Sequence, residues 1–131
     1  MNRRLALALS LAVVSSLQFA QADWVYISNE RDDTVSVIDT ETLEVVKTLD
    51  VGERPRGVTL SRDFKHLFIC ASDSDTVQMM DVATDKIIHE LPSGEDPEQF
   101  ALHPDNRHLY IANEDDAIAC LLYTSPSPRD S

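Results

Sequence analysis

Positive charge is scarce in this chain, and so are cysteines, long apolar runs and the short motifs that mark common catalytic sites. The 131 residues carry 23 Asp and Glu against 11 Lys and Arg, a formal net charge of −12. That sign disfavours a nucleic-acid backbone as ligand, because such binding is driven by Lys and Arg neutralising phosphates. The apolar run from Leu5 to Leu17, about 13 residues, falls short of the roughly 20 that span a bilayer. No Cys-x-x-Cys-His occurs, so covalent c-type haem attachment has no support. Gly-x-Ser-x-Gly and a local Cys/His pair are also missing, although a triad assembled from distant repeats would leave no such trace. His66, His89, His103 and His108 lack zinc-site spacing and are not expected to form a zinc set. Asp73, Asp75, Asp115 and Asp116 cluster, but without the Asp-x-Asp-x-Asp-Gly loop and distal Glu of a calcium site. The sequence therefore assigns no catalytic residue and no metal ligand.

What the chain does contain is a repeat of 42 residues. Trp24 to Lys65 aligns without a gap over His66 to Arg107 with 12 of 42 positions identical, among them Asp33/Asp75, Thr34/Thr76, Val35/Val77, Asp39/Asp81, Gly52/Gly94 and Pro55/Pro97. A third copy opens at His108 and breaks off. A period near 40 residues with strand-type alternation, visible in Val35, Val37 and in Val77, Met79, points to propeller blades. Four strand-like runs are expected per repeat. Arg56 to Ser61 and Glu98 to His103 form the first; Trp24 to Ser28, His66 to Ala71 and His108 to Ala112 the second. Thr34 to Asp39 and Thr76 to Val82 form the third, with Val45 to Val51 and Lys86 to Leu91 as the fourth. Gly52/Gly94 with Pro55/Pro97 read first as a repeated structural turn and only second as a ligand cradle. Asp33, Asp75, Asp39 and Asp81 read as acceptors of turn hydrogen bonds.

The two ends are set apart. Residues 1–22 combine Arg3 and Arg4, the apolar run, and small Ala20 and Ala22, the pattern of a secretory signal peptide with its helix, which implies a periplasmic or secreted protein. Cys120 to Ser131 resembles the translation of a transposase-type sequencing adapter and reads as a non-native tail, with a native disordered tail as the alternative. Residues 23–119 then carry 22 Asp and Glu against 8 Lys and Arg. An acidic surface of this kind serves solubility or a cationic partner. Cys70 is the one cysteine of this segment, which rules out a disulfide inside it and suggests a packed core thiol. Each blade covers its apolar faces only by packing on neighbours, so exposed sheet faces are expected on a partial ring.

Phe68-Ile69-Cys70-Ala71-Ser72, Thr34-Val35-Ser36-Val37-Ile38-Asp39-Thr40 and Val51-Gly52-Glu53-Arg54-Pro55-Arg56-Gly57 resemble the YVTN-type β-propeller repeat. Cys70 to Thr76, Leu91 to Glu98 and Ala112 to Asp116 resemble more narrowly the propeller proteins associated with pyrroloquinoline-quinone (PQQ)-dependent alcohol catabolism. Arg62, Phe64 and Asn106 depart from the repeat's usual Pro and Gly, and Phe64 fits a positive-φ turn poorly. The resemblance implies an all-β, partial propeller of four-stranded antiparallel blades: two blades and a stub of a seven-bladed parent, with repeats 24–65, 66–107 and an incomplete 108–119. It also implies a candidate partner face where fourth-to-first and second-to-third connections meet: Asn29, Glu30, Arg31, Asp32, Arg54, Arg56, Ser72, Asp73, Glu95, Asp96, Glu98, Asn113, Glu114 and Asp115. Arg56 and Glu98 hold equivalent positions at the mouth of the innermost strand, either facing the central channel or paired with each other between blades. By the same resemblance the expected role is a non-enzymatic binding or docking scaffold beside periplasmic quinoprotein dehydrogenases. Its expected partner is such a dehydrogenase or a cationic electron carrier, with no nucleic acid and no membrane after signal cleavage. No cofactor is expected in the chain itself: PQQ enters only through the dehydrogenase, and haem is not expected. A propeller enzyme or cofactor binder, of the lactonase or haem-containing oxidoreductase type, is the rival.

Overall fold

The computed structural model describes residues 23–114 and 119–121. The expected signal segment 1–22, Asp115, Asp116 and the tail from 122 onward lie outside the described residues. Among the described residues ten strands follow one another: β1 (Trp24–Asn29), β2 (Thr34–Asp39), β3 (Val45–Asp50), β4 (Pro55–Leu60), β5 (His66–Ala71), β6 (Thr76–Asp81), β7 (Lys86–Pro92), β8 (Pro97–Leu102), β9 (Leu109–Asn113) and β10 (Ala119–Leu121). They form three antiparallel meanders, ordered β1-β2-β3, β4-β5-β6-β7 and β8-β9-β10. The all-β partial propeller stands. Its partition differs from the repeat count, because every 42-residue repeat ends with the strand that opens the next sheet. The described strands thus make one complete four-stranded blade between two three-stranded sheets. Cys120 and Leu121 continue the third sheet, opposite Ile111 and Tyr110.

The turns repeat as faithfully as the strands. Among the described residues eight non-glycine residues take positive φ, and they fall into pairs 42 apart: Asp33/Asp75, Leu43/Asp85, Arg54/Asp96 and Phe64/Asn106. Left-handed backbone costs an L-residue roughly 1–2 kcal/mol, so each needs local compensation. Asp39 Oδ1 accepts from the Glu41 and Thr42 amides at 2.7 and 3.2 Å, and Asp81 Oδ1 from Thr84 N at 2.9 Å, as expected of turn acceptors. Phe64, the residue least suited to its turn, nevertheless sits at φ 58 with its ring exposed.

The two middle strands of the central sheet, β5 and β6, are buried on both faces. Leu67, Ile69 and Met80 pack with Val35 toward the first sheet, while Phe68, Val77 and Met79 pack with Leu109 and Ile111 toward the third. Successive strand residues point to opposite faces, so a strand apolar at every position is what two flanking sheets require. Burying one such side chain is worth about 1.5–3 kcal/mol. Cys70 is wholly buried in this strand, where burial pushes its thiol up to about 12. By contrast Val25 and Ile27, on one face of β1, stay exposed, the state expected for a blade face without a neighbour, and Trp24, Val45 and Val46 of the same sheet are exposed as well. Among the described residues, no helix is long and apolar enough to cross a membrane.

Candidate binding face

Innermost strands β4 and β8 begin with Pro55 and Pro97, both fully buried, at the end of the sheets where the β1–β2 and β5–β6 connections also turn. Proline suits a strand's first residue because it has no N–H to leave unpaired. The residues just before them, Arg54 and Asp96, occupy the left-handed region, and each is fastened by the preceding blade. Arg54 N donates to Asp33 Oδ1 at 2.8 Å, and Asp96 N to Asp75 Oδ1 at 3.0 Å. Their carbonyls are fastened too, accepting from Ser72 N and Glu114 N at 3.2 Å each. Asp33 and Asp75 are therefore scaffold carboxylates that carry a turn from one blade to the next.

On this frame two arginines gather acidic side chains from all three sheets. Arg54 reaches Glu30 at 3.0 Å, Asp73 at 3.2 Å and Asp96 at 4.0 Å. Arg56 reaches Glu30 at 3.5 Å and Glu114 at 3.1 Å, and forms an ion pair with Glu98. Glu30 bridges both guanidiniums. The hydrogen bond from Arg54, opposed by desolvation and aided by the charge of Arg56, holds its carboxyl below the usual range, and the same contacts raise Arg54. Beside this network lies an open cleft of about 380 Å³ lined by Ser28, Glu30, Pro55, Arg56, Glu98 and Gln99. Arg56 and Glu98 are thus paired between blades, one of their two sequence readings, and they also line a cleft.

Other expected face residues act as fasteners. Asn29 Nδ2 donates to Thr34 Oγ1 and Ser36 Oγ at 3.0 and 2.8 Å, closing the β1–β2 turn. Asn113 is buried and donates to the carbonyls of Ser93 and Glu95 at 2.9 and 2.6 Å, clamping the turn around Gly94. Ser72 Oγ donates to Pro97 O at 2.5 Å. Arg31, Asp32 and Glu95 are exposed. The Gly52 and Gly94 turns behave as structure: Gly94 has φ 78, and Gly52 N donates to the buried Gln78 side chain at 2.7 Å. Sequence reasoning missed Ser28 and Gln99. Ser28 binds Arg56 O at 2.6 Å, a link over 28 residues that no local pattern encodes.

Two of the histidines, which by spacing are not expected to form a zinc set, nevertheless lie close together. The β8–β9 turn brings His103 and His108 to one carboxylate, Asp105. Desolvation works against ionisation there, but hydrogen bonds from Arg107 N, His108 and His103 outweigh it and hold Asp105 far below the ordinary range.

The profile of YNCE-like beta-propellers matches residues 5–123. The chain belongs to that family. No curated protein sequence matches it. Among solved structures it is similar to Kuenenia stuttgartiensis hydrazine synthase, with a TM-score of 0.68 and 23% identity over 78% of this chain and 33% of that one. It is also similar to a functionally unknown protein from Desulfotomaculum acetoxidans DSM 771, with a TM-score of 0.62 and 14% identity over 75% of this chain and 37% of that one. The chain spans about a third of the length of these structures, and at such identities the likeness concerns the fold alone. Within the YNCE-like family fold, the arginine network stands where three blades meet.

Proposed function

We propose that this β-propeller protein is an exported, non-enzymatic docking scaffold whose acidic loop face receives a cationic protein partner beside PQQ-dependent alcohol oxidation. The observation that carries the reading is the saturation of its two inner arginines. Arg54 and Arg56 are both engaged by carboxylates, so the face offers no free guanidinium there for an anion. Seven carboxylates, those of Glu30, Asp32, Asp73, Glu95, Asp96, Glu98 and Glu114, share the face with Arg31, Arg54 and Arg56. Such an excess steers a positively charged partner in encounter and register. A cationic electron carrier answers that description, and the resemblance to PQQ-associated propellers supplies the setting. The rival enzyme reading needs catalytic donors from several blades around one cavity. Among the described residues the cleft is lined by an ion pair, Ser28, Glu30, Gln99 and a proline, and by no histidine.

The experiment is calorimetric titration of the protein with a basic c-type cytochrome at low and at moderate ionic strength. Binding should weaken as salt approaches 0.15 M, where the screening length is about 8 Å. The charge reversals Asp32→Lys and Glu95→Lys, both at exposed positions, should weaken it further. Absent binding at low salt, or binding indifferent to both salt and charge reversal, would refute the docking role.

A further inference from the structure

The turn from β8 to β9 lies at the sheet end opposite the arginine face, a strand length or roughly 17–20 Å away. There His103 Nδ1 stands 3.0 Å from one oxygen of Asp105, and His108 Nδ1 stands 2.5 Å from the other. All three donor atoms fall within 4.8 Å of one another, and the rings meet edge-on with centroids 5.7 Å apart. The set arises where the repeat is broken. In the preceding blade the same turn reads Ser61-Arg62-Asp63-Phe64-Lys65-His66, and Ser61 Oγ donates to Asp63 Oδ1 at 2.6 Å and accepts from His66 N at 3.0 Å. The carboxylate's backbone duty is common to both turns: Asp105 Oδ1 accepts from Arg107 N at 2.8 Å, as Asp63 Oδ1 accepts from Lys65 N at 3.3 Å. What is new in this blade is the imidazole in place of the serine hydroxyl.

Hydrogen bonding fixes how that imidazole is presented. The Asp105 amide stands 3.3 Å from His103 Nδ1, so in the tautomer protonated at Nε2 this nitrogen turns its lone pair toward the amide and the carboxylate. It lies 3.0 Å from a carboxylate oxygen that is itself an acceptor. Two electron-rich atoms at that distance are stabilised by a cation between them.

We propose that His103, Asp105 and His108 bind one divalent transition-metal ion of the zinc type, through both Nδ1 atoms and the Asp105 carboxylate, with water completing the coordination. Metal–donor bonds of about 2.0–2.1 Å at tetrahedral angles place donors roughly 3.3 Å apart. The His103–Asp105 pair is within a few tenths of that, and the His108–Asp105 pair reaches it by a small opening. Two imidazoles favour zinc, nickel or copper over calcium or magnesium. The half-exposed rings leave the site open to loading from solvent. Arg62 of the preceding blade donates its backbone N–H to Asn106 Oδ1 at 2.6 Å and its Nε–H to His103 O at 3.4 Å. A bound ion would therefore fasten the turn on which one blade holds the next.

The test uses the full chain, without an affinity tag and stripped by chelator, titrated with Co²⁺ as a spectroscopic probe and then with Zn²⁺. One equivalent of Co²⁺ should give visible ligand-field bands that Zn²⁺ displaces. His103→Ser installs the residue the equivalent turn already uses, so it keeps the strand circular dichroism and weakens Co²⁺ binding by at least about tenfold, the scale that even an outer-shell partner commands. His108→Gln should do the same, whereas His89→Gln on the outer strand should leave binding unchanged. Missing bands in the folded chain, affinity that survives both His103→Ser and His108→Gln, or affinity lost with His89→Gln would overturn the assignment.

Discussion

Gly57 in β4 lies directly against the backbone carbonyl of Glu98 in β8, so closely that a methyl group at position 57 would collide with that oxygen. The innermost strands of neighbouring blades meet there, one residue from the paired Arg56 and the cleft. Because the obstacle is backbone, it cannot swing aside as a flexible side chain would. Gly57→Ala should cost about 1–3 kcal/mol, the usual penalty of overpacking, read as a lower urea midpoint at unchanged slope.

Arg56 serves three carboxylates at once, while Glu98 serves one guanidinium. Removing the arginine leaves Glu30, Glu98 and Glu114 facing one another. Arg56→Ala should therefore destabilise more than Glu98→Ala, by about 1 kcal/mol for a pair this open to solvent. The double variant should lose less than the two singles added, with a coupling of about 0.5–1 kcal/mol. Urea unfolding of the four proteins checks it, and high salt should shrink the coupling.

Cys70 is a core thiol, and its chemistry follows from burial. In a Cys120→Ser background the folded protein should resist a thiol-specific reagent and react on addition of denaturant. The sign of the pH effect is set by the raised value: the fold retains a proton that the unfolded chain gives up above about 9.0. The Cys70 contribution is then constant below about 9.0 and is lost as pH rises toward about 12.

Glu30 is shifted the other way. Its ionised form is favoured first by the Arg54 hydrogen bond, so its contribution is present above the ordinary 4.5 and disappears as pH falls through the lower folded value. Arg54→Gln should move the Glu30 titration up toward 4.5, followed by carboxyl-carbon NMR. An unmoved titration would separate Glu30 from Arg54.

Much of the fold was legible because a repeat writes each strand twice. His66–Ala71 and Thr34–Asp39 fall where alternation and turn residues place them, and the innermost strands begin one residue earlier, at Pro55 and Pro97. Blade membership follows the same strand numbering: each sequence repeat opens on a second strand and closes on the first strand of the next sheet, so repeat and sheet are offset by one strand. For the candidate face, equivalence by 42 located Arg54, Asp96, Arg56 and Glu98. It could not show that Arg56 meets Glu114, 58 residues on, or that Glu30 bridges two arginines, because those contacts depend on how blades fan out. Nor could it join His103 to His108, since spacing rules for metal sites follow helices and fixed loops and not a tight hairpin turn.

Residue-resolved amide hydrogen exchange tests the two-sided packing of the central sheet most directly. Exchange should be slowest across Leu67–Ala71 and Val77–Met80, where apolar side chains lie between two other sheets, and much faster across β1 and β3, whose outer faces meet solvent. Equal protection in all three sheets, or slower exchange in β1 than in β5, would contradict it.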